Sequence, residues 1–166
     1  MNNYILITGS SKGLGLEIAK QLSFAGYSII LTSRNKKNLK KAKEKLNNHI
    51  EHKTFEVDFT KKKSVKKFLK KVEQLNIESI VHNFGINMEN DSHDINTDTL
   101  FKSIEYNFAT SIKINNTLYK KLKGNPSKII YIGSTASLHA KASPCYTLSK
   151  SLINTYVKNI SKYYLS

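Results

Sequence analysis

The stretch Tyr4 to Ala25 constrains this chain more than any other, and within it Thr8-Gly9-Ser10-Ser11-Lys12-Gly13-Leu14-Gly15 constrains it most. The apolar run Tyr4-Ile5-Leu6-Ile7 leads into three glycines, and Leu16, Ile18, Ala19 and Leu22 follow at helical spacing. That pattern predicts a strand, a tight turn and a helix. A helix starting at a strand end directs its unpaired N–H groups and its positive dipole end above the sheet, where phosphate is the natural occupant. Glycine lets the backbone turn sharply and approach a ligand closely. The spacing matches neither G-x-G-x-x-G nor a P-loop, so a glycine-rich turn without ligand stays open at this point.

The 166 residues suffice for one domain, 1–166, with its own core. Two prolines and no Gly/Ser tract argue against a linker. The first strand begins so near Met1 that no signal peptide is expected, and no apolar run has bilayer length. The single Cys145 excludes an intrachain disulfide and suits a reducing cytoplasm. A formal charge of +15 would attract nucleic acid or anionic membrane. Its lysines fall mostly on the polar faces of expected helices, and no nucleic-acid signature accompanies them. A solvated surface is therefore expected, with neither membrane nor nucleic acid as partner; a basic polyanion-binding protein is the alternative.

Further strands are expected at Ser28–Ser33, Lys53–Val57, Ser79–Asn83 and Lys128–Gly133, each a short apolar or β-branched run. Between them lie helical patterns: Asn35–Asn48; a helix capped by Thr60 with Val65, Phe68, Leu69, Val72 and Leu75 inward; and Thr97–Lys123 with Leu100, Ile104, Phe108, Ile112 and Leu118. Gly124-Asn125-Pro126 stops that helix, and Ser143 caps a last one that opens on Pro144. Strands alternating with helices imply an α/β, Rossmann-type, doubly wound parallel sheet. Gly9 to Gly15, Ser33-Arg34, Asp58, Asn83 to Gly85 and Ser134 all fall at C-terminal strand ends, where such folds bind ligands.

Tyr146 and Lys150 lie one turn apart on the last helix and share a face. An ammonium near a phenol favours phenolate, which suits acid–base work on a hydroxyl or carbonyl oxygen. Ser134 can donate to the same oxygen, and on spacing alone a helix with an amphipathic tyrosine and a solvated lysine stays open at this point. Taken together, Thr8-Gly9-x-x-x-Gly13-x-Gly15, Asp58, Asn83-Phe84-Gly85, Asn107, Ser134 and Tyr146-x-x-x-Lys150 resemble the short-chain dehydrogenase/reductase family, 3-oxoacyl-carrier-protein reductases among them. The resemblance covers essentially the whole chain. It implies a nicotinamide dinucleotide held by Gly9, Ser11, Lys12, Gly13, Leu14 and Gly15, with Asp58 at the adenine and Asn83 and Gly85 at the nicotinamide ribose. It makes Tyr146 the acid or base and gives Lys150 the ribose hydroxyls. Ser134 would polarise a small carbonyl or alcohol substrate, and Asn107 would anchor a water in the proton relay.

The end of the second strand carries no acid to chelate a ribose diol; Arg34 can fork onto a 2′-phosphate instead, and Lys12 can reach the same side. NADP(H) is thus expected over NAD(H). Three departures from the family stand out: His82 replaces an amide that ties the central strands, Phe84 must swing aside or crowd the ribose, and Ser134 lies twelve residues before Tyr146, a shorter gap than in some members. His139 can meet substrate; His49 and His52 lack a metal-ligand set, and Tyr156, Tyr163 and Tyr164 suit packing. The family continues past the Tyr-x-x-x-Lys helix, so the expected strand order 3-2-1-4-5 lacks its last strands. The fifth strand then becomes an open edge, and a homo-oligomer is expected. A cofactor-binding but catalytically impaired homologue is the alternative to an active oxidoreductase.

Overall fold

In the computed structural model the described residues are 2–88, 94–122, 128–139 and 142–164, with side chains to residue 161. The strands are β1 Tyr4–Ile7, β2 Ser28–Ser33, β3 Lys53–Glu56, β4 Ile77–His82 and β5 Lys128–Tyr131. They form one sheet of order β3-β2-β1-β4-β5. The β1–β2, β1–β4 and β2–β3 ladders are parallel: Ile5 lies opposite Ile29 and Ser79, and Ile30 opposite Lys53. β1 and β2 are buried along nearly their whole length, as apolar runs in a parallel sheet should be. The order is the expected one.

The helices are α1 Gly13–Phe24, α2 Lys36–Lys43, α3 Lys62–Val72, α4 Thr97–Ile104, α5 Thr110–Leu122, α6 Ala136–His139 and α7 Pro144–Tyr164. A π turn, Glu105–Ala109, separates α4 from α5. The chain resolves into two compact units, Met1–Phe84 with Ile114–Ile130, and Gly85–Lys113 with Tyr131–Ser166. In the first unit, Val65, Phe68 and Val72 of α3 and Ile114, Leu118 and Leu122 of α5 pack with Tyr4, Leu6, Ile30 and Ile80. Leu16, Ala19, Leu39 and Ala42 of α1 and α2 are buried as well, and both helices pack on β2. In the second unit, Tyr156 of α7 sets its ring edge-on to Phe108 and Tyr131, confirming a packing tyrosine. Tyr163 and Tyr164 lie outside the described side chains, and the expected Gly124-Asn125-Pro126 stop lies outside the described residues.

Two local expectations need correction. Thr60 does not cap α3: its N–H and hydroxyl both donate to Asp58 Oδ1, at 3.0 and 2.7 Å, and the helix starts after Lys61. Ser143 precedes Pro144 as expected, and its hydroxyl donates to Asn87 Oδ1. The long helix is not continuous, because the π turn interrupts it.

His82 and His52 are both buried. His82 Nε2 meets Asn115 Oδ1 at 2.8 Å. His52 Nδ1 accepts from the Ile29 N–H at 3.0 Å, and its Nε2 faces the Asn47 carbonyl at 2.9 Å. Burial pushes the His82 imidazole down to about 4, against the opposing pull of Asn115. Burial also lowers His52, helped by the Lys43 charge and opposed by Asn47. A histidine kept neutral in the fold but free to protonate when unfolded costs stability as pH falls from its unfolded value to its folded one. Between pH 6.5 and about 4, His82 should cost on the order of 3 kcal/mol. Urea denaturation of His82→Asn against the parent should therefore show a shallower loss of stability over that window, the remainder belonging to His52; parallel profiles would contradict the assignment.

Candidate functional site

The glycine turn leaves β1 at Thr8, and hydroxyls pin it there. Thr32 Oγ1 accepts from the Gly9 N–H at 2.9 Å and donates to the Ile7 carbonyl at 3.1 Å. Ser10 Oγ accepts from the Thr32 N–H and donates to the same carbonyl, both at 2.9 Å. Thr8 Oγ1 accepts from the N–H groups of Asn83 and Phe84, each at 3.0 Å. Asn83 Nδ2 donates to the carbonyls of Thr8 and Gly9 at 3.1 and 2.9 Å. The central tie that an amide at position 82 was expected to make is thus made by Asn83. Ser11 donates to Ser33 at 2.9 Å and joins the turn to the end of β2.

The glycines serve different needs. Gly13 has φ +57°, and a Cβ there would meet nothing within 4 Å. A Cβ on Gly15 would lie 2.4 Å from Asn83 Nδ2 and 2.6 Å from the Gly9 carbonyl oxygen. Gly13 thus holds a left-handed turn with open space beside it, whereas Gly15 lets α1 press against the amide brace. α1 begins at Lys12 without a side-chain cap, so its first N–H groups face outward without a side-chain acceptor. Leu14, Lys12 and Arg34 are exposed. Among the described residues, neither Lys12 nor Arg34 is held by a hydrogen bond or ion pair. A pyrophosphate fits this turn and its positive helix end.

Asp58 lies at the end of β3. Burial pushes its carboxyl up, but the two Thr60 hydrogen bonds and the Lys61 and Arg34 charges outweigh that and hold it below the usual range. Phe84 does swing aside: its ring packs 4.9 Å from that of Phe59, against the core of the first unit.

In the second unit, Asn107 sits within the π turn, 3% exposed. Its Oδ1 accepts from the Ile86 N–H at 2.7 Å. Its Nδ2 faces the Ile86 carbonyl at 3.0 Å, Ser149 Oγ at 3.0 Å and Ser103 Oγ at 3.2 Å. Ser149 in turn donates to the Tyr146 carbonyl at 2.8 Å. This buried network fastens the chain after β4, the π turn and α7 to one another. Ser10, Thr32, Ser103 and Ser149 carry no sequence signal of their own, since small hydroxyls at these spacings suit any exposed helix or turn.

Lys150 is 3% exposed, although it carries an ammonium. Its Nζ donates to the Ile132 carbonyl at 3.0 Å. Among the described residues that is its one hydrogen-bond partner, and burial lowers its pKa. A Cβ on Gly85 would come within 3.2 Å of Nζ and 3.5 Å of Asn107 Oδ1. The ammonium lies 5.8 Å from the centre of the Tyr146 ring. The two N–H donors left over, beside a glycine that leaves room, suit the hydroxyls of a ribose. Ser134 Oγ accepts from the Ala136 N–H at 3.2 Å at the start of α6, which leaves its own proton to donate. His139 is exposed on α6 and Cys145 is buried. Among the described residues no cluster of His, Cys, Asp or Glu could hold a metal.

The sequence pattern of the short chain dehydrogenase family matches residues 3–165. The chain belongs to that family. The Bacillus subtilis (strain 168) protein named Uncharacterized oxidoreductase DltE is 30% identical over 161 residues, 93% of this chain and 63% of that protein. Sulfoacetaldehyde reductase 2 of Chromohalobacter salexigens is 24% identical over 166 residues, 96% of this chain and 66% of that protein. This chain therefore spans just under two thirds of the length of both relatives. Among solved structures, the alcohol dehydrogenase of the archaeon Thermococcus sibiricus, complexed with 5-hydroxy-NADP, matches with a TM-score of 0.84 at 22% identity, over 99% of this chain and 72% of that one.

The contrast between the two glycines is measurable. Gly15→Ala should destabilise the protein by roughly 3 kcal/mol, because a backbone oxygen stands in the way. Gly13→Ala should cost only about 1–2 kcal/mol of backbone strain. Chemical denaturation of the two variants decides it, and equal losses would mean that Gly15 does not carry the close packing.

Proposed function

We propose that this chain binds a nicotinamide dinucleotide, NADP(H) in preference to NAD(H), and that the protein uses it to interconvert a small-molecule carbonyl and alcohol. The observation that carries this reading is Lys150: a buried ammonium with one hydrogen-bond partner among the described residues, one turn from Tyr146 and beside Gly85. A fold keeps such a group at a cost unless a ligand completes its hydrogen bonds. Gly9, Ser11, Lys12, Gly13, Leu14 and Gly15 would cradle the pyrophosphate, Asp58 would meet the adenine, and Asn83 and Gly85 would border the ribose. The nicotinamide ring, when bound, supplies or accepts the hydride. Tyr146 gives a proton to the substrate oxygen in reduction and takes it in oxidation. Ser134 donates a hydrogen bond to that oxygen. Lys150 donates to the ribose hydroxyls and places its charge near the phenol. The Asn107 side chain is engaged by protein partners, so it serves as a positioning residue, holding the chain at Ile86 and α7 in place. The names of the two relatives and the cofactor analogue in the alcohol dehydrogenase support this reaction class. The reading includes a cytoplasmic setting, which the buried Cys145 suits, and self-association, which an end strand with Ile130 47% exposed suits.

Tyr146→Phe should lower kcat/KM for ketone reduction by about a hundredfold or more while NADPH binding holds. Lys150→Met should lose both. A lysine whose folded pKa is lowered makes the fold gain stability as pH rises through that value towards its ordinary one. The Met variant should lack that rise and melt no lower than the parent at neutral pH. Near-normal turnover in Tyr146→Phe would remove it as the acid.

Cofactor choice follows from Arg34 and Lys12, two cations with no acid beside them at the end of β2. A charge-assisted hydrogen bond contributes about 1.5–3 kcal/mol. NADPH should therefore bind about tenfold or more tightly than NADH. Isothermal titration with both, on the parent and Arg34→Leu, tests this; a tighter NADH constant in the parent would overturn the preference.

A further inference from the structure

We propose that Lys36, Lys37 and Lys63 form a capture rim that draws the polyanionic dinucleotide towards the glycine turn and sets its association rate, without holding it once bound. The inference rests on the cofactor reading above and adds a role for residues outside the cradle.

The argument begins with helix ends. In a parallel sheet each crossover helix starts where a strand finishes, so α1, α2 and α3 open on the edge that carries the glycine turn, Arg34 and Asp58. All three open on lysine. Lys12 is the N-cap of α1, Lys36 and Lys37 are the first two residues of α2, and Lys61, Lys62 and Lys63 are the N-cap and first two residues of α3. None of the three has an acidic residue in its first turn. α4, by contrast, has Asp98 there. A helix start is already positive, and a cation there costs about 0.3–1 kcal/mol. Three consecutive helices repeat that locally unfavourable choice on one edge of the sheet.

The surrounding charge reinforces it. Residues 34–72 carry fifteen basic and four acidic side chains, so +11 of the chain's +15 resides there. Two of those acids are engaged: Glu51 by Lys53 at 2.7 Å, and Asp58 by Thr60 and, at 3.8 Å, by Lys61. Lys36, Lys37 and Lys63 are exposed and, among the described residues, have no ion pair. The apolar face of α3, Val65, Phe68 and Val72, is buried in the core, so α3 has no apolar face to offer a membrane. What remains is a field. A positive field of this kind raises the association rate of an anion about 10- to 1,000-fold at low salt.

Screening divides the lysines by position. At physiological salt the Debye length is about 8 Å. α3 rises roughly 1.5 Å per residue, so Lys70 and Lys71 stand roughly 10 Å beyond Lys63 along the helix. The lysines at the helix starts should steer the cofactor at that salt, and those at the far end of α3 should not.

The test is stopped-flow NADPH association with the full chain, comparing the parent, Lys36→Gln/Lys37→Gln/Lys63→Gln, and Lys70→Gln/Lys71→Gln. At about 150 mM salt the first variant should associate at least threefold more slowly and the second at the parental rate; at about 10 mM, where the Debye length is near 30 Å, both should slow. Dissociation rates should change less than twofold. The apo form of the first variant should melt no lower than the parent, because unfavourable charges leave two helix starts. Equal slowing of both variants at 150 mM, or a changed dissociation rate with unchanged association, overturns the rim. Salt-resistant retention of a mixed-sequence RNA by the parent, lost in both variants, overturns it in favour of polyanion binding. A parent that binds no NADPH sinks the cofactor reading and the rim with it, whereas normal binding with the same association rate in all three sinks the rim alone.

Discussion

The Asn83 amide, clamped onto the carbonyls of Thr8 and Gly9, is the contact on which the first unit depends. Where β1 and β4 end, their backbone groups leave the ladder while still buried, and unpaired polar groups there would each cost about 1–3 kcal/mol. Asn83, Thr8, Ser10 and Thr32 satisfy them with side chains. Gly15 is the steric counterpart, since any larger residue would displace the amide. The turn is therefore shaped by protein contacts before any ligand arrives, and its open side at Gly13 is left for one.

The second unit solves a different problem with the same means. Buried hydroxyls and one amide, on Ser103, Asn107 and Ser149, join α4, the π turn and α7. That bracing supports Lys150, whose charge the protein alone only partly compensates. The first unit completes its own hydrogen bonds with side chains, whereas in the second the buried Lys150 ammonium has one hydrogen-bond partner among the described residues.

Much of this was legible in the residues. Alternating apolar runs and helical stripes imply a parallel sheet, because such a sheet buries its strands on both faces and demands crossover helices, while its order is what the family resemblance implies. The turn glycines and the Tyr146–Lys150 pair were visible for the same reason: spacing alone puts each group on one element. What spacing could not show was competition between partners. Asp58 takes the Thr60 hydroxyl that would have capped α3, and Asn115 takes the His82 ring, leaving the central tie to Asn83. Phe84 turns its ring to Phe59, an aromatic neighbour that spacing could not show. Of the stripe Leu100, Ile104, Phe108, Ile112 and Leu118, only Leu118 is buried, and the other four are partly exposed beside buried Ser103, Asn107 and Ile114. Polar side chains buried by a network look like surface residues in a sequence, and a four-residue helix such as α6 leaves no periodicity at all.

The π turn also bears on how this chain can change its length. An α-helix that holds one residue more than its ladder absorbs behaves as an insertion that was kept. Removing a residue between Glu105 and Ala109 would restore regular winding and still break the paired contacts between Asn107 and Ile86. Adding one would displace Asn107 from Ser149 just as surely. The spacing from Ser103 to Asn107 is thus under a constraint of register, not of composition, and insertions or deletions should be purged from this segment of helix long before substitutions on its wet face are. The lysine-rich surface between Arg34 and Val72 carries no such ruler, and drift in length and residue type is far more readily absorbed there.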